Sequence, residues 1–190
     1  NELKYQTNPL NSDSDGNGIS DGEEDFDLDG LSNESEISTY GTNPRLADTD
    51  GDKLRDGFEV NTSNTNPLSD DSDGDGLNDG DEVRVLETQP SIADSDGNGI
   101  NDGDEDSDSD GLTDSDEINI HKTNPRDSDS DKDRLSDGDE VKHGLDPLSQ
   151  DTDKDGVNDG NEDLDEDGLS NALELNIHLT DPKEADSDRD

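Results

Sequence analysis

Carboxylates recur at fixed offsets along the chain, in the twelve-residue pattern D-x-D-x-[DN]-G-apolar-x-[DN]-x-x-E. Complete copies start at Asp13, Asp25, Asp48, Asp71, Asp94, Asp106, Asp129, Asp151 and Asp163. Three acids spaced two apart, followed by a glycine bend, turn toward one point, and the natural partner of such a set is a hard divalent cation. In the copy at 71, Asp71, Asp73 and Asp75 supply carboxylates at positions 1, 3 and 5. Gly76 supplies the bend, Leu77 a backbone carbonyl, Asp79 a direct or water-mediated contact and Glu82 a closing two-oxygen ligand. Carboxylates this close repel, so each loop is expected to splay without its cation and to close with it. Calcium is therefore the expected ligand, at about nine or more ions per chain if each loop fills once.

The other copies provide the same candidate metal ligands. They are Asp13, Asp15, Asn17, Ile19, Asp21 and Glu24, then Asp25, Asp27, Asp29, Leu31, Asn33 and Glu36. Next come Asp48, Asp50, Asp52, Leu54, Asp56 and Glu59, and after the copy at 71, Asp94, Asp96, Asn98, Ile100, Asp102 and Glu105. Asp106, Asp108, Asp110, Leu112, Asp114 and Glu117 follow, with Asp129, Asp131, Asp133, Leu135, Asp137 and Glu140 after them. The last two sets are Asp151, Asp153, Asp155, Val157, Asp159 and Glu162, and Asp163, Asp165, Asp167, Leu169, Asn171 and Glu174. Position 6 is Lys53 or Arg134 in two copies, where a side chain must accept the bend that glycine takes freely, and weaker sites are expected there. Asn17, Asn98, Asn33 and Asn171 still offer an oxygen but no charge, trading affinity for less repulsion.

The elements that position these loops are short. After the closing Glu come an apolar residue, a few polar ones and a turn ending in proline, as in Thr42-Asn43-Pro44 and Thr65-Asn66-Pro67. Proline stops a helix and extends the residue before it, so one or two helical turns after position 9 are predicted. No run alternates with the period of a strand. The chain divides into a tail of a preceding repeat at 1–12, double-loop repeats at 13–47, 94–128 and 151–185, and single-loop repeats at 48–70, 71–93 and 129–150. Residues 186–190 read as the start of a truncated repeat, so the chain is expected to be a segment of something longer.

Composition bounds the rest. Of 190 residues, 20% are hydrophobic and 2% aromatic, and 58 acids against 13 bases give a net charge of −45. One large core cannot be assembled from so little apolar surface. Scattered acids at this density would mean disorder, but here glycine, the apolar residue and glutamate keep fixed offsets. A polyanion has no use for nucleic acid or an anionic membrane as partner, and no run is apolar enough for membrane insertion. Without cysteine, thiolate sites and disulfides are excluded. Catalysis needs a concave apolar pocket, and no enzyme is expected. His121, His143 and His178 read as solvated or packed spacer residues.

The carboxylate positions resemble an EF-hand loop, but the apolar residue stands at position 7 and no incoming helix precedes position 1. The closer match is the thrombospondin type 3 repeat, whose tandem loops have the apolar residue at 7. Those repeats typically carry Asp at 12 and disulfides in animals, so this chain, with Glu at 12, is similar to a cysteine-free, bacterial style of the repeat. The resemblance implies calcium along an extended rod in a secreted or cell-surface setting, bacterial in origin. The fold expected is a mostly irregular, metal-stabilised repeat solenoid of tandem loops and short helical turns. The function expected is an extracellular stalk, spacer or filament segment stiffened by calcium; the alternative is an adhesive module or self-assembling filament subunit. Expected partners are calcium ions, neighbouring repeats of a longer chain and further copies in bundles or filaments.

Overall fold

The computed structural model describes residues 8 and 10–185, so most of the leading tail and all of 186–190 lie outside the described residues. The chain forms two compact units that divide between Asp102 and Gly103.

Every loop is closed by the same backbone bond. The N–H of position 9 donates to the carbonyl just before position 1, as in Asp56 to Ala47 at 3.1 Å and Asp79 to Asp70 at 2.9 Å. Inside, the position-1 carboxylate accepts from the N–H groups that follow it: Gly74 and Gly76 donate to Asp71 at 2.6 and 3.2 Å. The position-5 oxygen accepts from position 7, as Leu77 donates to Asp75 at 2.9 Å. Drawing these N–H groups inward requires left-handed backbone at two places. Position 6 has φ of 99° at Gly76, 85° at Lys53 and 90° at Arg134, so the two cationic residues take the glycine geometry. Position 4 is also left-handed, even where it is Leu28, Ser109, Lys132, Lys154 or Glu166.

Helical turns start at position 9, with position 8 extended as the N-cap. The α-helical pieces are α1 (Asn33–Ser35), α2 (Asp56–Phe58), α3 (Asp79–Asp81), α4 (Asp114–Asp116), α5 (Asp137–His143) and α6 (Asn171–Leu173). Ser32, Asn78, Thr113 and Ser136 accept with their side chains from the third N–H of their helices. Acids at positions 9 and 11 also suit the positive helix start.

Five of the six run on into a π turn that begins at the closing glutamate: Glu36–Tyr40, Glu59–Ser63, Glu82–Leu86, Glu117–His121 and Glu174–His178. The exception, α5, stays regular. Its spacer reaches proline one residue sooner, at Pro147 after Glu140 rather than at Pro67 after Glu59. The π turn is thus where the extra spacer residue is absorbed. A left-handed residue ends each helical run, among them Gly41, Asn64, Glu87 and Gly144. A turn with proline at its second place follows: Ser69 donates to Asn66 and Ile92 to Gln89, both at 2.9 Å. Among the described residues no strand occurs.

Within each unit a loop rests on the start of the next loop's helix. A Cβ at Gly57, Gly80, Gly138 or Gly160, each at position 10, would overlap the position-5 carbonyl of the preceding loop, at Asp29, Asp52, Asp110 and Asp133 respectively. Three of these glycines also donate to the same aspartate's carboxylate, at 3.1 Å (Gly57), 2.8 Å (Gly138) and 2.7 Å (Gly160). Among the described residues the apolar core is confined to Leu31, Leu54, Leu77, Leu86 and Leu135. The closeness at position 10 makes Gly80→Ala destabilising, by on the order of 1–3 kcal/mol, a typical cost of overpacking. Gly22→Ala should be near neutral, since its Cβ would meet Glu34 at 3.5 Å. Thermal melts of both variants in calcium check this.

Candidate metal centre

The structure brings acids together in two kinds of group. One lies within a loop: Asp25, Asp27 and Asp29, or Asp48, Asp50 and Asp52, or Asp71, Asp73 and Asp75, with carboxylate oxygens within 4.8 Å of one another. The other lies between loops. Asp29 and Glu36 meet Asp56, and Asp52 and Glu59 meet Asp79, again within 4.8 Å. Position 9 therefore stands at the junction, beside positions 5 and 12 of the loop before its own.

That placement is braced from its own loop. Position 2 donates to position 9 through both backbone and hydroxyl: Ser72 N–H and Oγ reach the two oxygens of Asp79 at 2.8 and 2.6 Å. The same hydroxyl accepts from the linker, as Asn66 N–H donates to Ser72 Oγ at 2.8 Å. Thr49–Asp56, Ser130–Asp137 and Thr152–Asp159 repeat the brace. Where position 2 has no hydroxyl, at Phe26 and Leu164, position 9 is Asn33 or Asn171. Those amides donate to the carbonyls of Asp21 and Asp159 instead, at 2.5 and 2.7 Å.

The closing glutamate is the most enclosed residue of the site. Glu36, Glu59, Glu82, Glu117 and Glu140 are 0% exposed and Glu174 is 1% exposed. In five of these the spacer threonine donates to Oε1: Thr42, Thr65, Thr88, Thr123 and Thr180, at 3.1–3.3 Å. Oε2 of each is buried with no hydrogen-bond partner. Glu140, followed by Leu145 where the others have threonine, has both oxygens without one. In the same six loops the position-3 acid also has a buried, unpartnered oxygen, at Asp27, Asp50, Asp73, Asp108, Asp131 and Asp165.

A buried carboxylate oxygen is costly unless it is paired, hydrogen-bonded or bound to metal. Burial, reinforced by the neighbouring aspartates, pushes Glu36, Glu59, Glu82 and Glu117 up to about 8 and Glu140 to about 9. Asp73, Asp108 and Asp131 rise to about 6 for the same reasons. A cation among them removes that penalty, and the all-oxygen donor set fits calcium.

The first loops of the back-to-back pairs differ. Ile19, Ile100 and Val157 at their position 7 are exposed, whereas Leu54 and Leu77 are 2% and 1% exposed. Glu24 is only half-buried and accepts from Asn17 Nδ2 at 2.8 Å. No spacer threonine follows it, because Asp25 does.

Three contributors fall outside the ligand positions of the twelve-residue pattern: the position-2 hydroxyl, the position-10 glycine and the spacer threonine. Each carries a visible signal. Ser or Thr at 2 keeps company with Asp at 9, glycine recurs at 10, and threonine recurs six residues after the glutamate.

The sequence matches the bacterial TSP3 repeat at residues 25–45, 48–69, 71–88, 106–128, 129–150 and 163–185, well over half of the chain. The chain belongs to the bacterial TSP3 repeat family. The matches take in the five single or second loops whose buried Glu accepts from a spacer threonine, and the loop of Glu140. Two solved structures share short stretches with these TSP3 repeats. A "Biofilm associated protein - B domain" is 44% identical over 24% of this chain and 11% of that one, with a TM-score of 0.24. A "Biofilm associated protein - BSP domain" is 46% identical over 23% of this chain and 8% of that one, with a TM-score of 0.22. The matched stretches are thus small parts of both solved chains. No curated protein matches. No helix among the described residues is long and apolar enough to cross a membrane.

The raised carboxylates fix the sign of a pH effect in the metal-free TSP3 array. An acid whose folded pKa is raised binds more protons folded than unfolded, so folding gains as pH falls. For the glutamates the penalty is absent below the ordinary value of 4.5 and grows until about 8. Calcium-stripped protein should hold more ordered structure at pH 5 than at pH 8. Calcium-loaded protein should show the reverse, because protons compete for its ligands. Circular dichroism of both forms across this range checks the opposite slopes.

Proposed function

We propose that this chain is a calcium-stiffened spacer, an extended solenoid-like stalk segment of an extracellular or cell-surface protein of bacterial type. The observation that carries it is the set of fully buried position-12 glutamates, each with an oxygen facing other acids and no protein partner. Positions 1, 3, 5, 7, 9 and 12 of the nine loops are the proposed ligand set, with the repeat boundaries drawn from the sequence. These carboxylate and carbonyl oxygens would hold a calcium ion, which would supply the positive charge that the clusters lack.

The chain's own residues do the remaining work. Positions 1 and 5 use oxygens to gather backbone N–H groups, which preforms the loop. The spacer threonine orients Glu59 by holding Oε1, leaving Oε2 turned to the cluster. Position 9, braced by position 2, joins the preceding loop's acids and so makes closure of one loop favour docking of the next. Repeats that bury so few apolar side chains gain their rigidity from neighbours in line.

Charge and affinity support an outside location. Nine divalent ions carry +18, which takes the net −45 to −27 and leaves the loaded array soluble. Extracellular calcium modules of this loop type bind at roughly 10⁻⁴–10⁻³ M, which cytosolic calcium would leave empty. Small-angle scattering tests the reading. With calcium the profile should be that of a stiff, thin particle, and after stripping that of an expanded coil. Superimposable profiles would refute it.

A further inference from the structure

Lys53 and Arg134 occupy position 6, where the other seven loops have glycine, and both hold left-handed φ, at 85° and 90°. A side chain resists that backbone, and a contact that glycine cannot make offsets part of that cost. Both side chains supply one, and both reach out of their own loop.

Lys53 Nζ lies 2.5 Å from Asp81 Oδ1. Asp81 is position 11 of the next loop, and its side chain is only 8% exposed. Its other oxygen accepts from Asn78 Nδ2 at 2.6 Å, so the carboxylate is fixed before the lysine arrives. The backbone of the same residue is gripped as well, since the Arg84 guanidinium donates to the Lys53 carbonyl. The second unit repeats this register with different chemistry. Arg134 Nη1 donates to Asn161 Oδ1 at 3.4 Å, and Asn161 is position 11 of the loop at 151. Asn176 Nδ2 donates to the Arg134 carbonyl at 2.9 Å, from the place in its loop that Arg84 has in its own. Asp81 and Asn161 belong to no ligand set.

We infer that Lys53 and Arg134 are built-in cations that clasp a loop to its successor without metal. Two junctions, 48–59 with 71–82 and 129–140 with 151–162, then stay docked in stripped protein while those that no cationic side chain crosses loosen. The inference rests on the calcium reading only for what loosens the rest. The first clasp is an ion pair and weakens with salt, whereas the second has a neutral acceptor and does not. The same positive charges lie against metal-binding loops, so the junctions most independent of calcium belong to loops that bind it less tightly.

Hydrogen exchange of the full chain, read by mass spectrometry in calcium-free buffer at low salt, tests this. Wild-type peptides covering 48–59 and 76–84 should be protected. Lys53→Gly and Asp81→Asn should each exchange about two- to five-fold faster there, the range expected for one such pair. Peptides at 129–162 should be unchanged in both. In saturating calcium Lys53→Gly should keep its protection and bind calcium more tightly at that loop. Glycine that merely relieves backbone strain would instead slow exchange in both states, and that result overturns the clasp. So does equal exchange of Lys53→Gly and wild type in calcium-free buffer, including the case where neither is protected. Wild type indifferent to calcium would count against the proposed function alone, because the clasp is judged within the stripped state.

Discussion

Six glutamate side chains, fully enclosed and each with an oxygen that no protein group satisfies, set the terms for everything else in this molecule. In an ordinary core such groups would be replaced by leucine or paired with a base. Here the neighbours are aspartates, which raise the cost further. This arrangement, present in six loops, carries a desolvation cost that no protein group there offsets. The five leucines buried among the described residues are too few to hold them in place by themselves. On the proposed reading cations offset the ordering entropy, and folding and cation binding become one equilibrium.

The architecture follows from keeping those oxygens in place. Left-handed backbone at positions 4 and 6 turns N–H groups onto the first aspartate, so that one carboxylate organises the loop. The helix that starts at position 9 carries the glutamate back under the loop, and the threonine beyond it fixes which oxygen is left over. The glycine at 10 lets the next repeat approach until its position-9 acid stands beside the previous glutamate. Local geometry and inter-repeat docking are therefore the same set of contacts. The cationic side chains at 53 and 134 depart from this scheme, each reaching from the bend of one loop to position 11 of the next.

Much of this was legible in the residues, for a physical reason: each acidic loop is contiguous, so the spacing of its carboxylates is written along the chain. The repeat, the glycine bend, the apolar residue at 7 and the helical turn ended by proline all belong to that local class. What sequence spacing hid was contact across repeats. Gly80 meets Asp52 and Gly138 meets Asp110 over 28 residues, and a reading of one loop at a time sees position 10 as filler. Position 9 also takes part in a contact across repeats, since the structure sets Asp79 with Asp52 and Glu59 of the loop before. The π turn was also missed, although the one-residue shorter spacer after Glu140 marks where it is absent.

Anomalous diffraction from crystals grown in calcium addresses the central claim most directly. Peaks at coordination distance from Oε2 of Glu36, Glu59, Glu82, Glu117 and Glu174, and from the carboxylate of Glu140, are the predicted result. Density showing those oxygens hydrogen-bonded to protein or water, with no anomalous peak beside them, would contradict it.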